Sequence, residues 1–381
     1  MTTEQSFFLS ALSDHLHRNP TNIPSALDWN EITSIAKSHQ VEGILYYQCK
    51  QQCFLQGYSS TLFYYTNRAK TIAALTERLN EVDIEHFIIK GASVAAFYPV
   101  PALRTMGDTD LVVHREDRER TNEIMLGLGF KNQSSFDDRE WVYYKGDMEF
   151  ELHDHLVYTE DVNQDKHVTF FNDFWKYVHD GELDPNFHFL FLLLHLRKHL
   201  MNSGVGFRQF MDIAVMMQQD LNWGWIIERL SELELLEFCQ TVVALIEKWF
   251  GVPAPVPNLT KEIGEYFCET AAEAVFKNGV FGFDNAENSD NVVINARIAG
   301  KSSTSLVAHK LFPSYRSMCI VPYYSFLKGK PWLLPAAWLY RIVRTVVQGK
   351  TKNRMKFLAD SFVDKEKIER RNEELKQWGL K

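Results

Sequence analysis

Cysteine is scarce and scattered in this sequence: Cys49, Cys53, Cys239, Cys268 and Cys319 are odd in number and contain no Cys-x-x-Cys spacing. That excludes a disulfide framework and a zinc ribbon, and a reducing, cytoplasmic setting is expected. Long apolar runs are also missing. No stretch of about 18 uninterrupted apolar residues occurs, so no transmembrane helix is expected. The N-terminal stretch has no basic leader, and Asp14 and His15 interrupt its apolar residues, so no signal peptide is expected. No fixed-period repeat is present, which sets aside solenoids and propellers. With 45% apolar and 24% charged residues, the chain is neither disordered nor low in complexity. Its 381 residues suggest two or three domains.

Acid is absent from one long stretch. Residues 297–359 hold twelve Lys or Arg and no Asp or Glu, while the rest of the chain sets 29 basic against 49 acidic residues. The overall charge of −8 therefore conceals a segregation that points to an anionic partner for the C-terminal part.

Periodicity divides the chain into four regions. FFLSALSDHL, WNEITSIAKSH and TLFYYTNRAKTIAALTERLNEV repeat apolar residues at three and four, which predicts an N-terminal helical region over 1–83. HFIIKG followed by ASVAAFYP reads as strand, turn, helix. DTDLVVH alternates as a strand, REDRERTNEIMLGLGF as an amphipathic helix ending near Gly129, and EWVYYKGDMEFELHDHL as two strands joined at Lys145, Gly146 and Asp147. These make a small α/β unit over 84–160. A helical domain is assigned to 161–296, with helical patterns resuming beyond Phe187 and broken by VPAPVPN at 252–258, and a basic helical region fills 297–381. The expected fold class is α+β, a small mixed-sheet core flanked by helical regions on both sides.

Strand geometry sends Asp108 and Asp110 to one face while Leu111 and Val113 face a core. Two carboxylates so close repel unless a cation joins them, and Mg²⁺ commonly uses one or two carboxylates together with substrate phosphates. The bland reading is two surface aspartates beside a turn. In MEFELHDHL, however, Met148, Phe150 and Leu152 form an apolar face, while Glu149, Glu151, His153 and His155 share the other. A third carboxylate is thereby available, as two-metal phosphoryl transfer requires. Glu149 is equally readable as a solvated strand residue. Upstream, Gly91 lies between a strand and a helix, where backbone N–H groups can receive a phosphate and Lys90 can add charge.

The order KGASVAAFYP, LRTMGDTDLVV, ELH resembles the uncharacterised nucleotidyltransferase family of the polymerase-β-type superfamily. HLRKH at 195–199 and GFRQFMDIA at 206–214 are also similar to its helical part, so the resemblance runs from about residue 30 onward. It implies catalytic and metal-binding roles for Asp108, Asp110 and Glu151, and substrate-binding roles for Lys90, Gly91, Ser93, Arg104 and His153. It further implies Mg²⁺ or Mn²⁺, a nucleoside triphosphate, and an acceptor that is a small molecule, glycan or protein. Ala92 departs from the wider superfamily, which has Gly or Ser there; Ser93 is the nearby hydroxyl.

Other motifs stay open at this level. His195 and His199 share a helix face, but Leu196 stands where a zinc protease needs Glu, so structural or substrate-contacting roles are favoured. Arg208 and Asp212, four apart, suit an intrahelical pair or a domain brace. In the basic segment, Trp332, Leu333, Trp338 and Leu339 with Lys330, Arg341 and Arg344 suit either a packed helix or one lying in a membrane interface. Two rival functions follow: a non-catalytic module with a basic binding surface, and a metal-dependent hydrolase built on the histidines.

Overall fold

The structure is a computed structural model that describes residues 1–133, 140–158, 165–202, 204–280, 322–327, 329–347 and 365–380, with isolated positions between 281 and 321. The chain opens with helices α1 (Thr3–His17), α2 (Trp29–His39), α3 (Glu42–Cys49) and the long α4 (Leu55–Asn80). Thr2 and Asp28 cap α1 and α2 through their side-chain oxygens, which satisfies N–H groups that have no partner within the helix. The short α3 is the one that apolar spacing does not announce.

A five-stranded mixed sheet follows, in the order β1-β2-β5-β4-β3. Its strands are β1 (His86–Ile89), β2 (Asp108–Val113), β3 (Lys131–Asn132), β4 (Trp141–Lys145) and β5 (Met148–His153). The four-residue turn of helix α5 (Gly91–Val94) follows β1, and α6 (Arg118–Gly127) follows β2. β1 runs antiparallel to β2, β2 parallel to β5, and β5 antiparallel to β4. The α+β reading of a small mixed sheet among helices therefore holds. Gly146, at φ 61°, supplies the tight turn between β4 and β5.

Each sheet face has its own cover. Leu111, Val113, Phe150 and Leu152 pack with Leu75 and Leu79 of α4 and Met125 of α6. Phe87, Ile89 and Val112 face the other way, into a large helical core. That core is supplied by α7 (Asp165–Asn172), α8 (Pro185–Asn202), α9 (Phe207–Met217), α10 (Trp223–Glu232), α11 (Leu236–Phe250) and α12 (Glu265–Asn278). It also takes Phe7, Phe8 and Leu12 of α1, so one apolar core joins the two ends of the described helical chain across the sheet unit. A short hairpin of β6 (Val178–His179) and β7 (Glu182–Leu183) precedes α8. Further on lie α13 (Leu334–Val347) and α14 (Lys365–Gln377), and Trp378 and Leu380 return to the helical core. None of the described helices is long and apolar enough to cross a membrane.

Four core histidines carry an acid liability. His15, His39, His167 and His188 are no more than 3% exposed. Burial, the largest cause in each, lowers their pKa to about 4, because the imidazolium is costly away from water. Below the unfolded value of 6.5 the unfolded chain binds protons that the folded chain refuses, so stability falls as pH drops from about 6.5 to 4. Each group costs on the order of 1 kcal/mol or more by about pH 5. Thermal melting is expected to shift downward steadily between neutral pH and pH 5. A flat or rising melting temperature over that window would refute the assignment.

Candidate active site

The site forms at one end of the sheet because parallel pairing aligns two acidic strand faces. In the β2–β5 register Asp110 lies opposite Glu151 and Asp108 opposite Glu149, while β1 places Ile89 opposite Asp110 and so delivers Lys90 to the same end. Lys90 itself sits at φ 57°, ψ −132°, a backbone conformation that costs a residue with a Cβ on the order of 1–3 kcal/mol. The sharp turn brings its Nζ to 2.5 Å from Asp110 Oδ1. Asp110 is 1% exposed.

His153, one step beyond the Asp110–Glu151 pair, bridges both acids. Its Nε2 lies 2.9 Å from Asp110 Oδ1 and 3.3 Å from Glu151 Oε2. Burial alone would raise Asp110, but the Lys90 ammonium and the His153 hydrogen bond hold it down at about 2. Glu151 is likewise lowered: burial opposes, and His153 outweighs it. Burial also works against the charged form of His153, yet its bonds to the two carboxylates raise it to about 9. Its contribution to stability is thus full below 6.5 and lost as pH rises through about 9, opposite in sense to the four core histidines and outnumbered by them. Asp108, at the exposed start of β2, is raised by desolvation and then by the charge of Asp110.

Asp110, Glu151 and His153 offer ligand atoms all within 4.8 Å of one another. Among the described residues this is the group able to hold a metal ion, and Asp108 stands outside it at the mouth. Its two carboxylates suit Mg²⁺ or Mn²⁺, which prefer oxygen donors. His153 is a nitrogen donor, and its hydrogen bond to Asp110 and ion pair with Glu151 make it their orienting partner. The residues fit a divalent cation.

The remaining predicted residues gather around this centre in distinct ways. The Ser93 hydroxyl donates to the Ile88 carbonyl within its own turn. Arg104 is buried and bidentate to Asp212, with Nε donating at 3.1 Å and Nη2 at 2.7 Å, and the Tyr98 hydroxyl donates to the same carboxylate at 2.7 Å. Its guanidinium lies directly over Gly91, where an added Cβ would fall 2.0 Å from Nη1, so only glycine fits beneath it. Asp212 therefore braces the helical part to the turn after β1. The intrahelical partner considered for Asp212, Arg208, instead donates to the Gln40 side chain at 2.7 Å and the Thr105 carbonyl at 3.1 Å. His195 and His199 meet edge to face at 4.4 Å, and His195 with Lys90, Glu151 and His153 lines a cavity of about 100 Å³.

Sequence reasoning missed Arg68. From α4 its Nη1 donates to Thr109 Oγ1 and its Nη2 to the Gly107 carbonyl, each at 2.6 Å, which holds the two residues flanking Asp108. The signal was present: Thr61, Arg68 and Leu75 share one helical stripe at intervals of seven, and an arginine on a buried stripe needs a partner. Arg68 and Arg104 also line a cavity of about 620 Å³ that opens beside Gly107 and Glu149 and is walled by Tyr64 and Tyr65. That volume lies in the range of small-molecule sites.

The family model for uncharacterised nucleotidyltransferases matches residues 25–251, more than half of the chain, and the chain belongs to that family. No curated protein and no solved structure matches it.

Proposed function

We propose that this member of the family is a metal-dependent nucleotidyltransferase that moves a nucleoside monophosphate from a nucleoside triphosphate to an acceptor hydroxyl, with release of pyrophosphate. The observation that carries the reading is the β2–β5 register, which sets Asp110 beside Glu151 on a sheet end where Asp108 and Lys90 also converge. Asp110 and Glu151 would hold the cation, with Asp108 completing the set from the mouth. A divalent ion there supplies charge neutralisation for the transferring phosphoryl group and its leaving pyrophosphate.

The chain's own residues do the rest. His153 keeps both acids ionised and oriented through a single Nε2–H, which bonds Asp110 at 2.9 Å and stands 3.3 Å from Glu151 as an ion pair. Lys90 stands in hydrogen-bond contact with Asp110 and can turn to a phosphate oxygen when a cation takes over that carboxylate. Gly91 offers backbone N–H groups, as the family resemblance implies, and Ser93 and Arg104 shape that turn from either side. Arg68 holds the Asp108 strand end rigid, so that the acids need not reorganise during transfer. Glu151, kept ionised by His153, would also help take the acceptor's proton. Lys90, Glu151 and His153 line the cavity of about 100 Å³, which is too small for a whole substrate, while the cavity of about 620 Å³ adjoins the Asp108 strand end through Gly107 and Glu149 and has room for the rest.

Incubation with labelled nucleoside triphosphates, Mg²⁺ or Mn²⁺ and panels of acceptors tests the reading, with pyrophosphate release as readout. Glu151→Gln is expected to abolish release and Glu149→Gln to leave most of it, because Glu151 faces Asp110 and His153 while Glu149 lies outside the ligand group. The reverse pattern would move the third acid to Glu149. One feature favours a second reading, a non-catalytic module that has kept the fold. Lys90 and His153 already neutralise the acids, so the cluster needs no ion to persist. Absence of any metal-dependent nucleotide binding by calorimetry would support that alternative.

A further inference from the structure

We propose that α13 lays its outer stripe on the surface of an anionic lipid bilayer. Over its described side chains this helix is apolar on two sides: one is buried in a cluster, and the other stays exposed, touched only at Tyr340 by the rings of Tyr324 and Phe326. Its inner side is packed: Ala337 is fully buried, and Leu333, Leu334 and Trp338 close over a small cluster with Met318, Tyr324 and Leu327. On the outer side Trp332, in the 3-10 turn Pro331–Leu333 that leads into the helix, is followed by Pro335, Ala336, Leu339 and Tyr340 at intervals of three and four, all exposed, Trp332 at 70%, Leu339 at 64% and Tyr340 at 47%. Phe326, 41% exposed, extends the patch through its edge contact with Tyr340. A contiguous apolar stripe of this kind marks an interaction surface, unlike single exposed apolar residues.

Charge decides what covers it. The stripe belongs to residues 297–359, with twelve basic side chains and no acid, and the exposed Lys330 stands beside Trp332. A second copy would bring the same unrelieved positive charge to the contact and repel it. A nucleic acid would answer the charge and can stack bases on Trp332 and Tyr340, but it leaves the aliphatic Leu339, Pro335 and Ala336 between them uncovered. An anionic bilayer answers both at once, with acyl boundary for Trp332 and Leu339 and headgroup phosphates for the basic residues. Trp and Tyr are the residues enriched at that depth. The helix cannot cross a membrane, so it lies along the surface.

The test is flotation of the full chain with phosphatidylcholine vesicles, with and without about one-third phosphatidylglycerol. Binding is expected to the anionic vesicles at low salt and to weaken as salt rises. The double variant Trp332→Ser/Leu339→Ser, at two solvent-exposed positions that belong neither to the acidic cluster nor to either apolar core of the chain, is expected to lower the partition coefficient at least about tenfold with unchanged circular dichroism. No binding to anionic vesicles at low salt, or equal binding by the double variant, would overturn the proposal. So would a dimer, seen by sedimentation, that dissociates in the double variant, since a second copy would then own the stripe. Vesicle binding needs no nucleotide, so its failure leaves the transferase reading untouched.

Discussion

Asp110→Asn is expected to lower metal-dependent nucleotidyl transfer by at least about 10²–10³-fold, the scale of losing one preorganised electrostatic contact in a transition state. Asp110 is the hub of the site: it accepts from both Lys90 and His153 and stands opposite Glu151 across the parallel register. Asparagine keeps the shape and removes the charge, which leaves Lys90 and His153 without the carboxylate that they share. Because that change also disturbs a buried cluster, Asp108→Asn is the paired control. Asp108 is exposed and stands outside the buried ligand group, so its loss should affect turnover with a smaller effect on melting temperature than the loss of Asp110. Steady-state pyrophosphate release and thermal melting of both variants check this together. Turnover unchanged in either would remove the acidic strand pair from the chemistry.

Removing the Asp212 carboxylate is expected to be the most destabilising single change. Asp212→Ala strands the Arg104 guanidinium, 7% exposed, without its bidentate partner and leaves the Tyr98 hydroxyl unpaired. Breaking a buried pair from one side costs about 3–5 kcal/mol. Replacing both partners by apolar residues, Arg104→Met with Asp212→Leu, should cost far less, because no charge is then left buried. Urea unfolding of Arg104→Met, Asp212→Leu and their double gives the coupling directly, with Asp212→Ala measured beside them. A loss below about 1 kcal/mol for Asp212→Ala, the scale of an exposed pair, would show that the brace carries no weight. The single variant should also lose transfer activity, since Arg104 packs over Gly91 at the turn that presents Lys90.

Much of the site was legible because strands write their faces with a period of two. The alternation in DTDLVV and MEFELH assigns Asp108, Asp110, Glu149, Glu151 and His153 to one side, and the apolar residues between them do pack against α4 and α6 on the other. The turn at Gly146 and the end of α6 near Gly129 followed from glycine's tolerance of positive φ, and both residues adopt it. Arg104 and Asp212 read differently from sequence and structure. A spacing of four ties Asp212 to Arg208, whereas its partner is Arg104, 108 residues away. Most of the basic segment at 297–359, Arg344's side chain included, lies outside the described residues. Of its interfacial set, Trp332 and Leu339 face outward while Leu333 and Trp338 pack inward.

The sequence by itself determined most of the long helices and the strands β1, β2, β4 and β5, which face of β2 and β5 carries acid, and the segregation of positive charge toward the C-terminus, because these depend on neighbours a few residues apart; the short α3, β3 and the β6–β7 hairpin have no such local signal. Only the tertiary structure decided that β2 and β5 run parallel, since a parallel pair needs a crossover connection whose closure no local period encodes. That decision brings Asp110 to Glu151 and His153, across 43 residues in the latter case, and makes three scattered side chains one site. It also places Arg68 of α4 beneath the Asp108 strand and Asp212 of α9 against Arg104. Buried charges such as these choose partners by desolvation, which depends on what surrounds them in space rather than along the chain.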